Sequence, residues 1–145
     1  MSRASAPDWR HLGLVVVGGM VGTAAREGLT LAVPGINGLP TTILMINIIG
    51  AFLLGLLLES LLRAGSDEGP RRIMRLMLGT GFCGGFTTYS AFAVDALLLF
   101  NGQGPVGGPG AGLALIAATV LIGAAATWAG IATAGLRRPR REARP

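Results

Sequence analysis

Four long apolar segments constrain the fold of this chain more than any other feature. They are Leu12–Val33, Thr41–Leu62, Leu76–Phe100 and Leu113–Leu136. At about 1.5 Å of rise per residue, a helix of about 20 residues crosses a hydrocarbon core of about 30 Å. A chain in lipid must satisfy its backbone polar groups internally, so each segment is expected to be helical. The sequence therefore predicts an all-α integral membrane protein, with residues 1–145 forming a single four-span domain.

The composition supports this class and excludes others. Hydrophobic residues make up 51% of the chain and charged residues only 13%, which is too apolar for an ordinary soluble domain of this size. The arginines lie beside the apolar segments and are not interleaved with aromatic residues in a polar domain, so no nucleic-acid partner is expected. Cys83 is the single cysteine, which rules out an intrachain disulfide or a CxxC site. Because no nucleophile–base pair or metal-ligand cluster can be drawn, we do not expect an enzyme.

The third segment contains the stretch GTGFCGGFTTYSAF, from Gly79 to Phe92. Paired glycines followed by paired threonines predict that this helix is broken near Gly84–Thr87. A break frees carbonyls that can coordinate a small cation and amides that can face an anion. The alternative is an unbroken helix whose glycines allow a close helix crossing. The glycines also match GxGxxG, but no strand precedes them, so a dinucleotide site is not expected.

Three further polar side chains lie within the apolar segments. Asn47 either ties helices together or faces an aqueous path, because a lone amide in lipid is costly without a partner. Arg26, beside Glu27, either snorkels to the interface or supplies positive potential to an anion vestibule. Burying Thr119 costs little free energy, since the hydroxyl of a helical threonine can donate to a backbone carbonyl of its own helix. The residues alone leave the first two choices open.

The third-segment motif resembles the signature of the Fluc/CrcB fluoride channel family. GGMVGTAAREGL in the first segment, NIIGAFLLG in the second, the four-span layout and the chain length extend the resemblance over most of the chain. The resemblance implies a fluoride-selective channel that exports cytoplasmic fluoride passively and so relieves its toxicity. It also implies a dual-topology dimer, in which two antiparallel copies enclose two narrow pores, with a structural Na⁺ at the centre.

The same resemblance implies roles for residues of the third segment. Gly84 and Thr87 match the residues whose backbone carbonyls bind the Na⁺, which is structural and not transported. Tyr89 and Phe92 match an aromatic box whose ring edges face the permeating anion. Aromatic edges carry partial positive charge and offer weak contacts that do not trap the ion. A carbonyl cluster from two copies can hold Na⁺ and raise the local positive potential.

The remaining implied roles concern polar donors along the pore. Asn47 matches the pore asparagine and Ser90 the pore hydroxyl, and these neutral donors can replace the water around fluoride. Thr119 falls on the fourth-span polar track. Arg26 matches the first-span arginine at the vestibule.

Three departures from the family pattern bear on these roles. Tyr89 stands where the family usually has Phe, which adds a hydroxyl. Ala91 stands where Thr is frequent, which removes one. Leu115 stands where the polar track begins with Tyr, which puts one fluoride site in doubt.

The arginines are distributed unevenly between the two sides of the predicted membrane domain. A dual-topology protein should show little arginine bias, yet the termini and the second loop hold eleven of the twelve, and the first and third loops hold none. The eleven are Arg3, Arg10, Arg63, Arg71, Arg72, Arg75, Arg137, Arg138, Arg140, Arg141 and Arg144. This bias predicts a fixed orientation with both termini cytoplasmic, and the resemblance implies the plasma membrane of a prokaryote. We therefore hypothesise a heterodimer with a homologous chain of opposite bias, in place of a homodimer.

Two other functions are alternatives to a channel. A four-span proton-coupled drug exporter needs a carboxylate in mid-span, but Glu27, Glu59 and Asp95 all lie towards segment ends. The second alternative is a non-conducting or partly conducting subunit of a heterodimeric channel. Leu115 and the arginine bias favour it, whereas the intact motif from Gly84 to Ser90 argues against it.

Overall fold

A computed structural model describes residues 8–33, 35–36, 39–103 and 107–136, and every described regular element is helical. The elements are α1 (Trp9–Ala32), α2 (Thr41–Ala64), α3 (Gly69–Met74), a π-helical segment (Arg75–Cys83), α4 (Gly84–Phe86), α5 (Tyr89–Phe100) and α6 (Pro109–Leu136). The residues from α3 through α4 form one continuous rod. Within these described ranges, four stretches are long and apolar enough to cross a membrane: Trp9–Ala32, Thr41–Ala64, Gly69–Phe100 and Pro109–Leu136. The all-α, four-span prediction is confirmed.

The second connection is much shorter than the sequence suggested. The predicted spans, which end at Leu62 and resume at Leu76, leave residues 63–75 as a loop, but only residues 65–68 separate α2 from α3. The third helix therefore begins at Gly69, ahead of the predicted start at Leu76. Hydropathy marks where lipid contact begins, whereas this helix starts earlier because Pro70 lies in its first turn, where proline is well tolerated.

The third span is interrupted, as predicted. α4 ends at Phe86, Thr87 and Thr88 are extended, and α5 begins at Tyr89. Gly84 itself keeps helical dihedrals, with φ −64° and ψ −35°. The glycine pair therefore precedes the break, and the two threonines form it.

Glycines set the closest helix contacts. A Cβ on Gly18 or Gly22 of α1 would collide with the backbone of Met77 or Phe82, and one on Gly85 would collide with the backbone of Gly19. The second predicted alternative, a close helix crossing, is thus also present, one turn before the break. α2 and α6 meet in the same way, because a Cβ on Gly55 would collide with the Thr127 carbonyl. Small residues let backbones approach where apolar burial gives no driving force.

The outer surface is strongly apolar. Leu31, Leu121 and Leu136 are 78%, 69% and 83% exposed, and few large side chains are buried. A soluble protein rarely shows such a surface, so these faces are suited to lipid or to another membrane helix. The terminal tails, with Arg3 and the arginines after Leu136, lie outside the described residues.

Candidate ion site at the helix break

The break is built from local hydrogen bonds at its first threonine. Thr87 has φ −76° and ψ 155°, and Thr88 has φ −143° and ψ 125°. The Cys83 carbonyl accepts both from the Thr87 amide, at 3.0 Å, and from the Thr87 hydroxyl, at 2.8 Å. The helix thus ends on a doubly bonded carbonyl, and the chain turns into an extended step.

Asn47 of α2 fastens the second threonine. Its Nδ2 donates to the Thr88 carbonyl at 3.0 Å, and its Oδ1 accepts from the Thr88 amide at 2.8 Å. One side-chain amide therefore satisfies both backbone groups of an extended residue at membrane depth, where unsatisfied groups are costly. Of the two interpretations left open for Asn47, the structure shows the tie between helices. Its second Nδ2–H is not used in this pair and is left over for another acceptor.

Two backbone amides are diverted away from the carbonyls that an unbroken helix would give them. In an α-helix the Thr88 amide would donate to Gly84 and the Ala91 amide to Thr87. Here the Thr88 amide donates to Asn47, and the Ala91 amide donates to the Thr88 hydroxyl at 3.3 Å. Within the described residues, the Gly84 and Thr87 carbonyls receive no such helical bond. These are the two carbonyls that the sequence analysis assigned to Na⁺.

Thr88 is a central residue that sequence reasoning did not assign. Its hydroxyl caps α5 and lies 3.3 Å from the Ser90 hydroxyl, so Asn47, Thr88 and Ser90 form one chain of polar contacts. A signal was available, since Thr is favoured immediately before the first residue of a helix. Gly50 supports the same region, because a Cβ there would collide with the Thr87 methyl group.

Tyr89 and Phe92 share a helix face beyond the break, as their spacing predicted. Their ring centroids are 6.1 Å apart and the planes are inclined by 57°. Tyr89 is 81% exposed, and in the described part of the chain its hydroxyl has no recorded hydrogen bond. The two rings line an open groove of about 500 Å³ between α5 and α6, whose other walls include Leu113 and Ile116.

Arg26 and Thr119 are not joined to this polar chain by any hydrogen bond that the described residues show. The Arg26 side chain is 22% exposed, and its Nη1 lies 3.8 Å from the Glu27 carboxylate. Its Nε is buried and has no hydrogen-bond partner within the described ranges. The Thr119 hydroxyl donates to the Leu115 carbonyl at 2.8 Å. That bond is the backbone interaction expected of a helical threonine, and it occupies the hydroxyl hydrogen that an anion would need.

The donor set at the break fits a small hard cation better than a transition metal. Among the described residues there is no group of three or more His, Cys, Asp or Glu that could hold a metal ion. The groups presented are neutral backbone carbonyl oxygens at a helix break, the donor type by which unwound membrane helices coordinate Na⁺. The observation that supports the fit is the diversion of the two amides.

Together, the fold and the break define a multi-pass membrane protein with a discontinuous span, an architecture used for ion and substrate pathways. A family model described as "CrcB-like protein, Camphor Resistance (CrcB)" matches residues 13–131. The chain belongs to the CrcB family, as its motifs indicated.

Curated relatives carry a consistent name. The chain is 53% identical over 123 residues to "Fluoride-specific ion channel FluC 2" of Leifsonia xyli subsp. xyli, covering 85% of this chain and 82% of that protein. It is 45% identical to "Fluoride-specific ion channel FluC 1" of Cutibacterium acnes, covering 83% and 82%. It is 36% identical to "Fluoride-specific ion channel FluC" of Gloeobacter violaceus, covering 81% and 90%. These relatives are prokaryotic and are named as channels, not enzymes.

Proposed function

We propose that this chain forms a fluoride-selective channel that lets cytoplasmic fluoride leave passively across the plasma membrane. The observation that carries the proposal is the Asn47–Thr88–Ser90 chain of polar contacts at the broken third span. The names of the relatives indicate the ion. Two findings therefore support the proposal: a polar path at membrane depth, and membership of a family whose relatives are named fluoride channels.

The polar donors suit an anion that gives up water reluctantly. Asn47 keeps one Nδ2–H after bonding Thr88, and Ser90 is exposed with a hydroxyl that can rotate toward an ion. The Tyr89 and Phe92 ring edges follow along the same helix and provide weaker contacts. Conduction needs contacts strong enough for entry and weak enough for release. Neutral amide, hydroxyl and ring-edge donors meet both conditions.

Arg26 is proposed to draw anions toward the pore entrance. In the described region, the buried Arg26 Nε has no hydrogen-bond partner, and Nη1 lies 3.8 Å from Glu27, which is too long for a hydrogen bond. Guanidinium hydrogens are therefore left unpaired. A partly buried positive charge raises the local anion concentration. Thr119 is proposed to join the pore only if its hydroxyl leaves the Leu115 carbonyl.

A structural Na⁺ is proposed at the Gly84 and Thr87 carbonyls. When bound, the ion would supply fixed positive potential near the anion path. The chain's part is to keep these carbonyls free, which Asn47 and the Thr88 hydroxyl do by holding the competing amides. Replacing Na⁺ by a large organic cation on both sides of the membrane is expected to lower fluoride efflux. Unchanged efflux and unchanged thermal stability in that solution would contradict the site.

The assembly is proposed to be an antiparallel dimer. The groove between α5 and α6 opens the Tyr89 and Phe92 rings to the outside of the single chain, where a second chain would complete a pore. The arginine bias favours a heterodimer with a homologue of opposite bias, with both termini of this chain cytoplasmic. A homodimer is the alternative.

The test is fluoride efflux from liposomes that contain the chain purified alone, with chloride efflux as the control. Fast fluoride release without chloride release supports the channel and shows that one chain suffices. No release alone, but release after co-purification with a homologue of opposite arginine bias, supports the heterodimer. No fluoride release in either preparation, or equal release of chloride, would overturn the proposed function.

A second candidate is a non-conducting subunit of such a heterodimer. The specific observation in its favour is the fourth-span position Leu115, whose side chain offers no donor and whose carbonyl engages Thr119. In a heterodimer with a conducting homologue, Phe92→Ile in this chain would then leave fluoride efflux unchanged. A loss of efflux would assign a conducting role to this chain.

A further inference from the structure

Charged side chains gather where α2 turns into α3. Four arginines and three carboxylates lie here, and two of the arginines each form an ion pair with a carboxylate. The Arg63 Nε lies 2.6 Å from Glu59, and the Arg75 Nη2 lies 2.7 Å from Asp67. The charges left without an ion pair within the described ranges are Arg71, Arg72 and Glu68. The turn therefore keeps a small net positive charge carried by adjacent arginines.

The guanidinium of Arg71 is held in place by the turn. Its Nε donates to the Ser66 carbonyl at 2.8 Å. Its planar end lies against Gly65, where an added Cβ would come within 3.5 Å of Cζ and Nη2. Gly65 has φ 124°, a conformation that favours glycine. The Nη hydrogens have no acceptor among the described residues, so this donor group is oriented but unused.

The length of α2 predicts that the turn lies at the depth of lipid headgroups. α2 has 24 residues, which corresponds to about 36 Å and exceeds a hydrocarbon core of about 30 Å. The four-residue connection that follows leaves no room for Arg71 and Arg72 to move far from the membrane surface. Arg72 is exposed beside the fixed Arg71. Planar guanidinium groups bind phosphate oxygens in a bidentate manner.

We propose that Arg71 and Arg72 bind the phosphodiester headgroup of an anionic phospholipid in the leaflet that meets this turn. Arg71 supplies the oriented contact and Arg72 supplies the second positive charge. Glu68, four residues before Arg72, opposes the headgroup charge and limits its affinity. The site is separate from the ion pathway and does not depend on the transported ion.

The experiment is native mass spectrometry of the delipidated full chain offered equal amounts of phosphatidylglycerol and phosphatidylcholine. The wild type is expected to retain phosphatidylglycerol preferentially. An Arg71→Gln, Arg72→Gln double variant should lower that preference by about fivefold for each arginine removed. Arg63→Gln removes the same charge from an arginine already paired with Glu59, and it should change the preference less than about twofold. Glu68→Gln should raise the preference.

The variants separate a local site from general charge. Equal losses from Arg63→Gln and Arg72→Gln would overturn the proposal in favour of overall charge. No preference in the wild type, or no gain in Glu68→Gln, would also overturn it. Excess inorganic phosphate should leave phosphatidylglycerol bound; if it displaces the lipid readily, the site is for soluble anions and the proposed lipid site is wrong.

Discussion

At the scale of single residues, Asn47 makes two long-range side-chain contacts at the break. Its amide reaches Thr88, 41 positions further along the chain, and bonds both backbone groups of that residue. A typical hydrogen bond contributes about 1 kcal/mol net, but a buried group left without a partner costs about 1–3 kcal/mol. The stability of the break should therefore respond to Asn47 more than to the neighbouring threonine hydroxyls.

Asn47→Leu should lower the free energy of unfolding by about 2–5 kcal/mol, because it orphans two backbone groups of Thr88. Thermal unfolding in detergent is the measurement. Thr88→Val is the matched control: it removes the hydroxyl cap but keeps both bonds to Asn47, and should cost about 1 kcal/mol. If the two variants unfold at the same temperature, the structural role assigned to Asn47 is wrong.

Asn47→Asp separates the structural role from the conducting one. The carboxylate still accepts from the Thr88 amide but leaves the Thr88 carbonyl without its donor, so the variant should fold with lower stability than the wild type, though more stably than Asn47→Leu. It no longer donates from this position and it repels an anion. We expect a folded protein without fluoride efflux in liposomes. Retained efflux would show that the Asn47 amide is not needed as an anion donor.

Tyr89→Phe should leave fluoride efflux equal to or above that of the wild type. The Tyr89 hydroxyl has no recorded partner in the described part of the chain, whereas the ring edge is the part proposed to face the ion. Phe92→Ile, which removes a ring edge at similar volume, is expected to reduce efflux strongly. The opposite order of effects would assign the anion contact to the hydroxyl.

At the scale of elements, glycines decide how closely the helices cross. α1 packs against the π-helical segment and α4 through backbone contacts that leave no space for a Cβ. The π-helical segment is itself unusual, since such hydrogen bonding is rare and is frequently found at functional positions. The crossing with α1 therefore holds in place the continuous helix, from α3 through α4, that ends at the break.

Gly22→Ala should destabilise the protein by about 1–3 kcal/mol, because the new methyl group would collide with the Phe82 carbonyl. Gly28→Ala lies on the same helix with nothing within 4 Å of its Cβ position, and it should be neutral or stabilising. Thermal unfolding of both variants is the comparison. Equal melting temperatures would contradict the assigned crossing.

The turn between α2 and α3 should loosen in acid. The hydrogen bond from Arg75 holds the pKa of Asp67 below its ordinary value of 3.8. A carboxyl group with a lowered pKa contributes stability above the unfolded value and loses it as pH falls through the folded value. Hydrogen exchange of residues 65–68 should therefore show protection decreasing only below about pH 3.8. In Arg75→Gln this acid-dependent change should disappear; an unaltered profile would assign it to another group.

At the scale of the whole molecule, arginine placement bears on orientation and assembly. Eleven arginines and five of the seven carboxylates lie in the termini or in the sequence from Glu59 to Arg75, whereas Arg26, Glu27 and Asp95 belong to the opposite end. A basic end is retained on the cytoplasmic side during insertion. The single chain also leaves its aromatic groove open, so orientation and partner are linked.

A cysteine introduced near the C-terminus should react only from the cytoplasmic side. In a Cys83→Ser background, Pro145→Cys is expected to stay unlabelled by an impermeant thiol reagent in intact cells. Gln103→Cys, at an exposed position of the third connection, is the control that should be labelled from outside. Comparable external labelling of both sites would indicate two orientations and would favour the homodimer.

The sequence by itself determined the four spans, their helical state and the position of the break. Those features depend on short-range properties, namely runs of apolar residues and the glycine and threonine pairs next to one another. It could not decide whether Asn47 ties helices or faces a path, or which glycines lie at crossings.

Only the tertiary structure decided those points, because each depends on segments far apart in the chain. Asn47 contacts Thr88 because α2 lies beside the third span at its break. Gly22 meets Phe82 because α1 packs on that rod. The extent of α3 also differed from expectation, since hydropathy reports contact with lipid and does not report where backbone hydrogen bonding starts. Local sequence composition therefore determines which segments span and where the helix breaks, whereas tertiary packing determines which residues contact one another.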